Sequence, residues 1–395
     1  MPGLPNESEL FDRSKRKTVR FGDVVELVSD TVRDAVQEGI DRYIAMEHLE
    51  PGSLHIRTWG DLSEGTTFTK RCRPGQVLFG KRRAYQRKVA IAEFDAVVSG
   101  DIYVFQAKAD RLDPMLLPFL CMSERFFQFA VETSAGSLSP RTNWSHLAEF
   151  EFALPPLDQQ HRIAELLWAV DEAGLRATTV LHALAQLKRT TRDRFCEADS
   201  STVPLGSVLT YLSDGPFGSK LKTEHYSDSG ARVVRLQNIG LDTFDDSDKA
   251  YIPASYYEEL RRYRVSPGDI IVGGLGDDTH KVGRAVIVPE SFGLGINKSD
   301  CLCLRANPIA ASNEYVAHYL NSSIGFERVS AVAQGTTRLR VNGTNLKKIV
   351  ITVPSLAAQD AFIHEMTAIE EGLTTARSHV GNIKGLGLEI LNELF

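Results

Sequence analysis

The chain has few cysteines, no long apolar run and no excess of positive charge, and each of these lacks removes a class of protein. Its five cysteines are an odd number without paired spacing, and Cys301 and Cys303, one residue apart, fit neither a zinc knuckle nor a thioredoxin motif. A disulfide framework is not expected, and a reducing cytoplasm is the natural compartment. No stretch approaches the apolar run that a membrane helix needs, so no membrane partner is expected. The polar start, residues 1–18, is read as a tail. Met1 to Arg20 ends in Arg13, Lys15, Arg16, Lys17 and Arg20 and lacks the apolar core of a signal peptide. The ten histidines are scattered, with no two at metal-site spacing, so no metal site is expected. GxSxG and HExxH are absent, and no spacing singles out a pair of carboxylates. Pro155-Pro156 follows Leu154, not the Asn or Asp of an amino-methyltransferase motif. No catalytic residue is assigned. The net charge of −6 argues against a self-sufficient nucleic-acid binder, which is usually basic. That objection weakens if positive charge is concentrated locally or supplied by a partner.

What is present is a duplication. Leu154-Pro155-Pro156-Leu157 with Gln160 returns as Val353-Pro354-Ser355-Leu356 with Gln359, 199 residues on. The same offset carries Gly136 to Gly335, Arg141 to Arg340, Asn143 to Asn342 and Leu147 to Leu346. Near the start of each copy, Phe21-Gly22-Asp23-Val24 matches Leu205-Gly206-Ser207-Val208 at a shorter offset, so insertions accumulate between the markers. Both copies run through short β-type segments with Gly/Pro turns. Strands are expected after Pro74-Gly75 and Pro267-Gly268, over Val89 to Ala92, over Val97 to Phe105 and over Ser299 to Leu304. Helical stretches are expected around Pro114 to Val131 and Asn313 to Val332.

After each unit comes a long helix, about Asp158 to Phe195 and about Ala357 to Phe395. Ile163, Leu167, Val170, Ala177, Leu181 and Leu184 form one stripe. Phe362, Met366, Ile369, Leu373, Ala376, Val380, Ile383, Ile390 and Leu394 form the other. Sustained three-four spacing is a coiled-coil seam, broken at Gly174 and near Gly381, Gly385 and Gly387. About 38 residues at ~1.5 Å each span roughly 57 Å, enough to hold two globular units apart. The fold class expected is α+β: two similar globular domains, 19–155 and 199–354, separated by a long antiparallel two-helix coiled coil, 156–198 and 355–395. Two similar faces suit a target with two similar halves, of which DNA is the commonest.

Five loops carry the residue types for that task. Lys81-Arg82-Arg83-Ala84-Tyr85-Gln86-Arg87-Lys88, with Lys70 and Arg71 upstream, can neutralise phosphates and grip guanine edges, and Tyr85 offers a stacking surface. Ser139, Arg141, Thr142 and Asn143, echoed by Thr336, Thr337, Arg338, Arg340 and Asn342, are a phosphate and base-edge kit. Phe217, Ser219, Lys220 and Lys222 lie in a Gly-rich loop that lacks P-loop spacing. Gly273 to Lys281, with His280 and Lys281, occupies the place of the first copy's basic cluster. Its different chemistry implies a different sequence read by each half.

These motifs resemble the specificity (S) subunits of type I restriction–modification systems. The stretch Phe152-Ala153-Leu154-Pro155-Pro156-Leu157-Asp158-Gln159-Gln160-His161-Arg162-Ile163-Ala164 leading to Asp171 is similar to the opening of that family's conserved region. Lys81 to Tyr85, Val97 to Ile102 and Pro140 to Trp144 are similar to its target-recognition domains. The second conserved region diverges, with Ala357 for Asp158 and Phe362 for Ile163. The resemblance implies a non-catalytic subunit whose two domains each read half of a bipartite site in double-stranded DNA. Its helices would set the half-site spacing, for which one helical turn of ~34–36 Å fits, and would dock two methyltransferase (M) subunits. It implies no cofactor on this chain, S-adenosylmethionine on the M subunits, and ATP and Mg2+ on restriction (R) subunits. The alternatives are a two-domain protein-binding scaffold without sequence-specific DNA contact and a hydrolase or nuclease with an unrecognised site.

Overall fold

The computed structural model describes residues 13–198 and 201–395; the tail expected at 1–18 lies outside the described residues up to residue 12. The chain divides into two compact units, one running to Thr178 and closed by Ser378–Phe395, the other Thr179–Arg377.

In the first unit, β1 (Lys17–Arg20) pairs antiparallel with β10 (Glu151–Leu154). An antiparallel sheet follows in the order β2 (Val25–Val28), β9 (Ile102–Ala107), β6 (Val77–Gly80), β7 (Val89–Ile91). A second sheet has the order β4 (Gly60–Asp61), β3 (Arg42–Ile44), β8 (Ala96–Val98), β5 (Lys70–Cys72), with β3 and β8 parallel. The core gathers Phe21, Phe79, Phe105, Phe126 and Phe152 against Ile163 and Leu167 of the long helix.

The second unit repeats this strand for strand. β11 (Thr202–Pro204) pairs with β20 (Val350–Thr352). One sheet runs β12 (Leu209–Ser213), β19 (Cys301–Ala306), β16 (Ile270–Gly273), β17 (Ala285–Ile287). The other runs β14 (Tyr251–Ile252), β13 (Ala231–Val234), β18 (Gly295–Asn297), β15 (Arg264–Val265), again with one parallel pair, β13 and β18. Both units are therefore α+β, as expected.

Three expectations need correction in detail. Val97 to Phe105 is not one strand. It bends at Ser99–Asp101, so β8 belongs to one sheet and β9 to the other. The chain switches sheets there because it satisfies backbone groups in both layers. The same bend separates β18 from β19, so the strand expected over Ser299 to Leu304 starts at Cys301. Each helical stretch is two helices, Leu117–Met122 with Glu124–Glu132, and Asn313–Leu320 with Ser323–Val332. Ser123 and Ser322 are extended in backbone, and their hydroxyls accept from the Phe126 and Gly325 amides, each capping a new helix.

The long helices are Leu157–Glu197 and Leu356–Leu394. Within the first unit their partnered ends run antiparallel: a Cβ at Gly174 would lie 3.5 Å from Ile383, and one at Gly387 the same distance from Val170. Within the second, Leu184 faces Gly372, and Phe195 stacks on Phe362 with centroids 4.2 Å apart. Of the seam residues, Ile163, Leu167, Phe362, Met366, Ile369 and Leu373 are buried, while Val170, Leu181, Leu184, Val380 and Ile383 are half-buried. The buried ones also pack into the body of their own unit, so the stripe is part domain core and part helix pair.

The repeated glutamines hold each helix to its domain. Gln160 accepts from the Asp113 amide at 2.8 Å and donates to Arg111 and Pro155 carbonyls at 3.1 and 2.8 Å. Gln359 accepts from the Ser312 amide at 3.0 Å and donates to Ala310 and Pro354 carbonyls at 3.1 and 2.9 Å. Both are buried and use donor and acceptor together, which an amide does and a carboxylate or amine cannot.

Candidate nucleic-acid interface

In the first unit the β6–β7 loop carries the basic cluster, and the loop after Gly136 lies beside it. Three backbone hydrogen bonds join the neighbourhood: Lys81 N to Asp101 O at 2.9 Å, Arg83 N to Pro140 O at 2.7 Å, and Thr142 N to Lys81 O at 3.0 Å. Arg141 bridges to both Arg82 and Ala135. Two motifs some sixty residues apart thus form one surface. Arg83 and Arg87 flank the turn Ala84–Gln86 at φ 53° and 55°. A side chain in that left-handed region costs about 1 kcal/mol, strain held where the arginines are displayed.

The side chains have distinct duties. Arg82 donates to Ser139 Oγ at 3.1 Å and lies 3.4 Å from Asp101. Arg83 reaches the same hydroxyl at 3.4 Å, and Arg141 Nε pairs with Asp101 at 2.9 Å. Burial alone would raise the Asp101 carboxyl, but the hydrogen bond and charge of Arg141, with Arg82 beside it, outweigh it and hold it below its ordinary value. Lys70 and Lys81 lie over the Tyr103 ring. Burial and the charge of Lys81 lower the Lys70 ammonium. Arg71, next along the strand, points the other way and pairs with Asp95 and Glu38, as alternation on a strand requires; the structure does not bring it to this surface. Arg87 is held by Glu124. Lys88 donates to the Met46 carbonyl at 2.6 Å. Tyr85 is exposed, Thr142 is fully buried, and Asn143 is exposed before a short helical turn.

The second unit reproduces the backbone lattice bond for bond. Gly274 N donates to Asp300 O at 2.7 Å, Gly276 N to Leu339 O at 2.9 Å, and Val341 N to Gly274 O at 2.9 Å. Arg340 bridges Leu275 and Gln334 and pairs with Asp300 at 2.6 Å. The side chains differ. His280, Lys281, Thr336 and Thr337 line one depression of about 480 Å³ with Ser323, Phe326 and Ser330, and Lys281 sits over the Phe326 ring at 4.6 Å. Asp277 at the loop tip accepts from the Thr279 hydroxyl and from the Thr279 and His280 amides, and these hydrogen bonds, the hydroxyl's first, lower its carboxyl well below its ordinary value. Arg338 is exposed, and Asn342 caps a turn by accepting from Asn345 N. Phe217, Ser219, Lys220 and Lys222 take another course: Lys220 O accepts from Tyr256 and Lys222 N donates to His225, with Phe217 exposed.

Sequence reasoning missed Asp101, Asp300 and Tyr103. The aspartates stand at the same 199-residue offset as the arginines they hold, which was the available signal. Tyr103 had none; its hydroxyl donates to Thr142 O and accepts from Trp144 N, joining strand to loop. Among the described residues no group of His, Cys, Asp or Glu could hold a metal ion, and no helix is long and apolar enough to cross a membrane.

Two copies of one α+β unit, each displaying a pinned pair of loops and a helical arm, define a tandem-repeat protein. The model of the type I restriction modification DNA specificity domain matches residues 14–185 and 242–379, and the chain belongs to that family. It is similar to the Type I restriction enzyme EcoDI specificity subunit of Escherichia coli, 29% identical over 38% of this chain and 35% of that protein. The chain spans well under half the length of the enterobacterial relatives it matches. It is also similar to the MjaVIII specificity subunit of Methanocaldococcus jannaschii, 19% identical over 96% of this chain and 91% of that protein. The solved type I restriction–modification S subunit from M. genitalium shares its fold, with a TM-score of 0.59 at 14% identity over 96% of each chain.

Proposed function

We propose that the chain is a non-catalytic DNA sequence-specificity subunit of a type I restriction–modification complex. Each unit's paired loops read one half of a bipartite site. The observation that carries this reading is one backbone lattice, repeated bond for bond, holding two different sets of side chains. A shared scaffold with divergent contact residues is what two half-sites of different sequence demand. The recognition domains are assigned to 19–155 and 199–354, and the spacer helices to 156–198 and 355–395. Lys81, Arg82, Arg83 and Tyr85 with Ser139 and Arg141 serve one half; His280 and Lys281 with Thr336, Thr337, Arg338 and Arg340 serve the other. The helices expose Leu166, Val180, Leu187, Leu386 and Leu388, apolar surface suited to two M subunits, to which R subunits would add. Adenine methylation with S-adenosylmethionine would occur on the M subunits, in the cytoplasm. Partners enclosing the DNA would offset the net negative charge of this chain.

A genome-wide map of adenine methylation, with the gene intact and deleted, tests the proposal. Loss of one gapped, asymmetric motif on deletion is expected. An unchanged map in cells where the cognate M subunit is expressed and active would overturn it.

A further inference from the structure

A negative charge is the wrong sign for a surface that meets phosphates, yet a partly covered aspartate stands behind each pinned loop pair. Asp101 and Asp300 occupy the same bend between the two sheets, where β8 gives way to β9 and β18 to β19. Each uses its carbonyl to hold the first residue of the recognition loop, Lys81 or Gly274. Each uses its carboxylate to hold the arginine of the second loop, Arg141 or Arg340. The aspartates are largely covered, at 21% and 26% exposure, while their arginines are about half exposed. The carboxylate thus grips one side of a guanidinium whose remainder stands in solvent. An arginine left loose loses rotamer freedom on binding and grips any phosphate; one held by a carboxylate presents a fixed planar fork suited to a base edge.

Resting on the reading of the chain as a DNA-specificity subunit, we infer that Asp101 and Asp300 are positioning residues. Each gives up general DNA affinity for discrimination in its own half-site. Asp101 restrains Arg82 as well as Arg141; Asp300 restrains Arg340. The first half therefore depends on its aspartate more than the second.

The test uses the complex assembled with its M subunits and two duplexes of equal length, one bearing the methylated motif from the genomic map and one random. Asp101→Asn and Asp300→Asn keep size and backbone; Asp300 sits at φ 68°, a conformation asparagine also accepts. Binding to the random duplex should rise about twofold to fivefold as a repelling charge is removed. Preference for the motif should fall on the order of tenfold, with relaxed methylation in one half only: one half for Asp101→Asn, the other for Asp300→Asn. Arg141→Lys and Arg340→Lys keep the charge and lose the fork. They should lower preference in the same half without raising random binding. Parallel loss of binding to both duplexes would mark the aspartates as merely structural and overturn the inference, as would unchanged preference in all four variants. A wild-type complex that prefers no duplex would instead sink the functional reading itself, and this inference with it.

Discussion

The loops Lys81–Lys88 and Gly274–Lys281 hang from equivalent strand pairs and are pinned by equivalent backbone hydrogen bonds, yet they share almost no chemistry. The first holds five basic residues and no acid; the second holds Asp277, Asp278, His280 and Lys281. The first displays its arginines from a strained turn. The second lines a depression with hydroxyls and one lysine over an aromatic ring. Backbone hydrogen bonds accept any side chain, so the lattice survives duplication while the contact residues drift. The units also fasten their helices differently. In the first, His55 on a loop ties Asp171 of the helix to Glu93. In the second, Lys188 and Arg192 of the helix converge on Asp242, with Glu370 on Lys188.

The largest test of this comparison lies in the helix positions that differ most. Phe362→Ala should destabilise the second unit by ~4 kcal/mol, because a stacked, buried ring leaves a cavity. The equivalent Ile163→Ala should cost the first unit ~3 kcal/mol. Segment-resolved hydrogen exchange should place each loss mainly in its own unit; losses spread evenly over both would break the division. A sharper test uses what is the same. Gln160→Leu and Gln359→Leu each strand buried backbone groups and should cost about 2 kcal/mol apiece. Chemical denaturation that separated the two by more than about 1 kcal/mol would show that the clamps are not equivalent.

The smallest effect is a contrast in pH response. Burial lowers the His55 pKa, but hydrogen bonds and charges from Asp171 and Glu93 outweigh it, so the net shift is upward from 6.5. Its stabilisation is full below 6.5 and is lost as pH rises through the higher folded value. His318 in the second unit is pushed down to about 4 by burial, then by Arg192 and Lys188, against the opposing charge of Asp242. It must stay neutral in the fold, so its contribution is present above 6.5 and is lost as pH falls toward 4. Exchange protection should therefore weaken toward alkaline pH around His55 and toward acid pH around His318. His55→Gln and His318→Gln should each abolish only their own trend; the same trend in both units would refute the contrast.

Periodicity and internal offset determined much of this protein: two α+β copies, two long helices, their stripes, and the buried glutamines as matched positions. Those features arise from local propensity and burial, which a sequence pattern carries directly. Tertiary structure alone decided which loops meet. The approach of Ser139 and Arg141 to Arg82, the turning of Lys70 toward Lys81 and of Arg71 away, and the diversion of Lys88 to a carbonyl all follow from long-range backbone pairing. So does the place of Asp101 and Asp300, set where a strand that reads as continuous breaks to serve two sheets. Hydrogen bonds between distant backbone segments depend on the path of the whole chain, not on the residues that flank them.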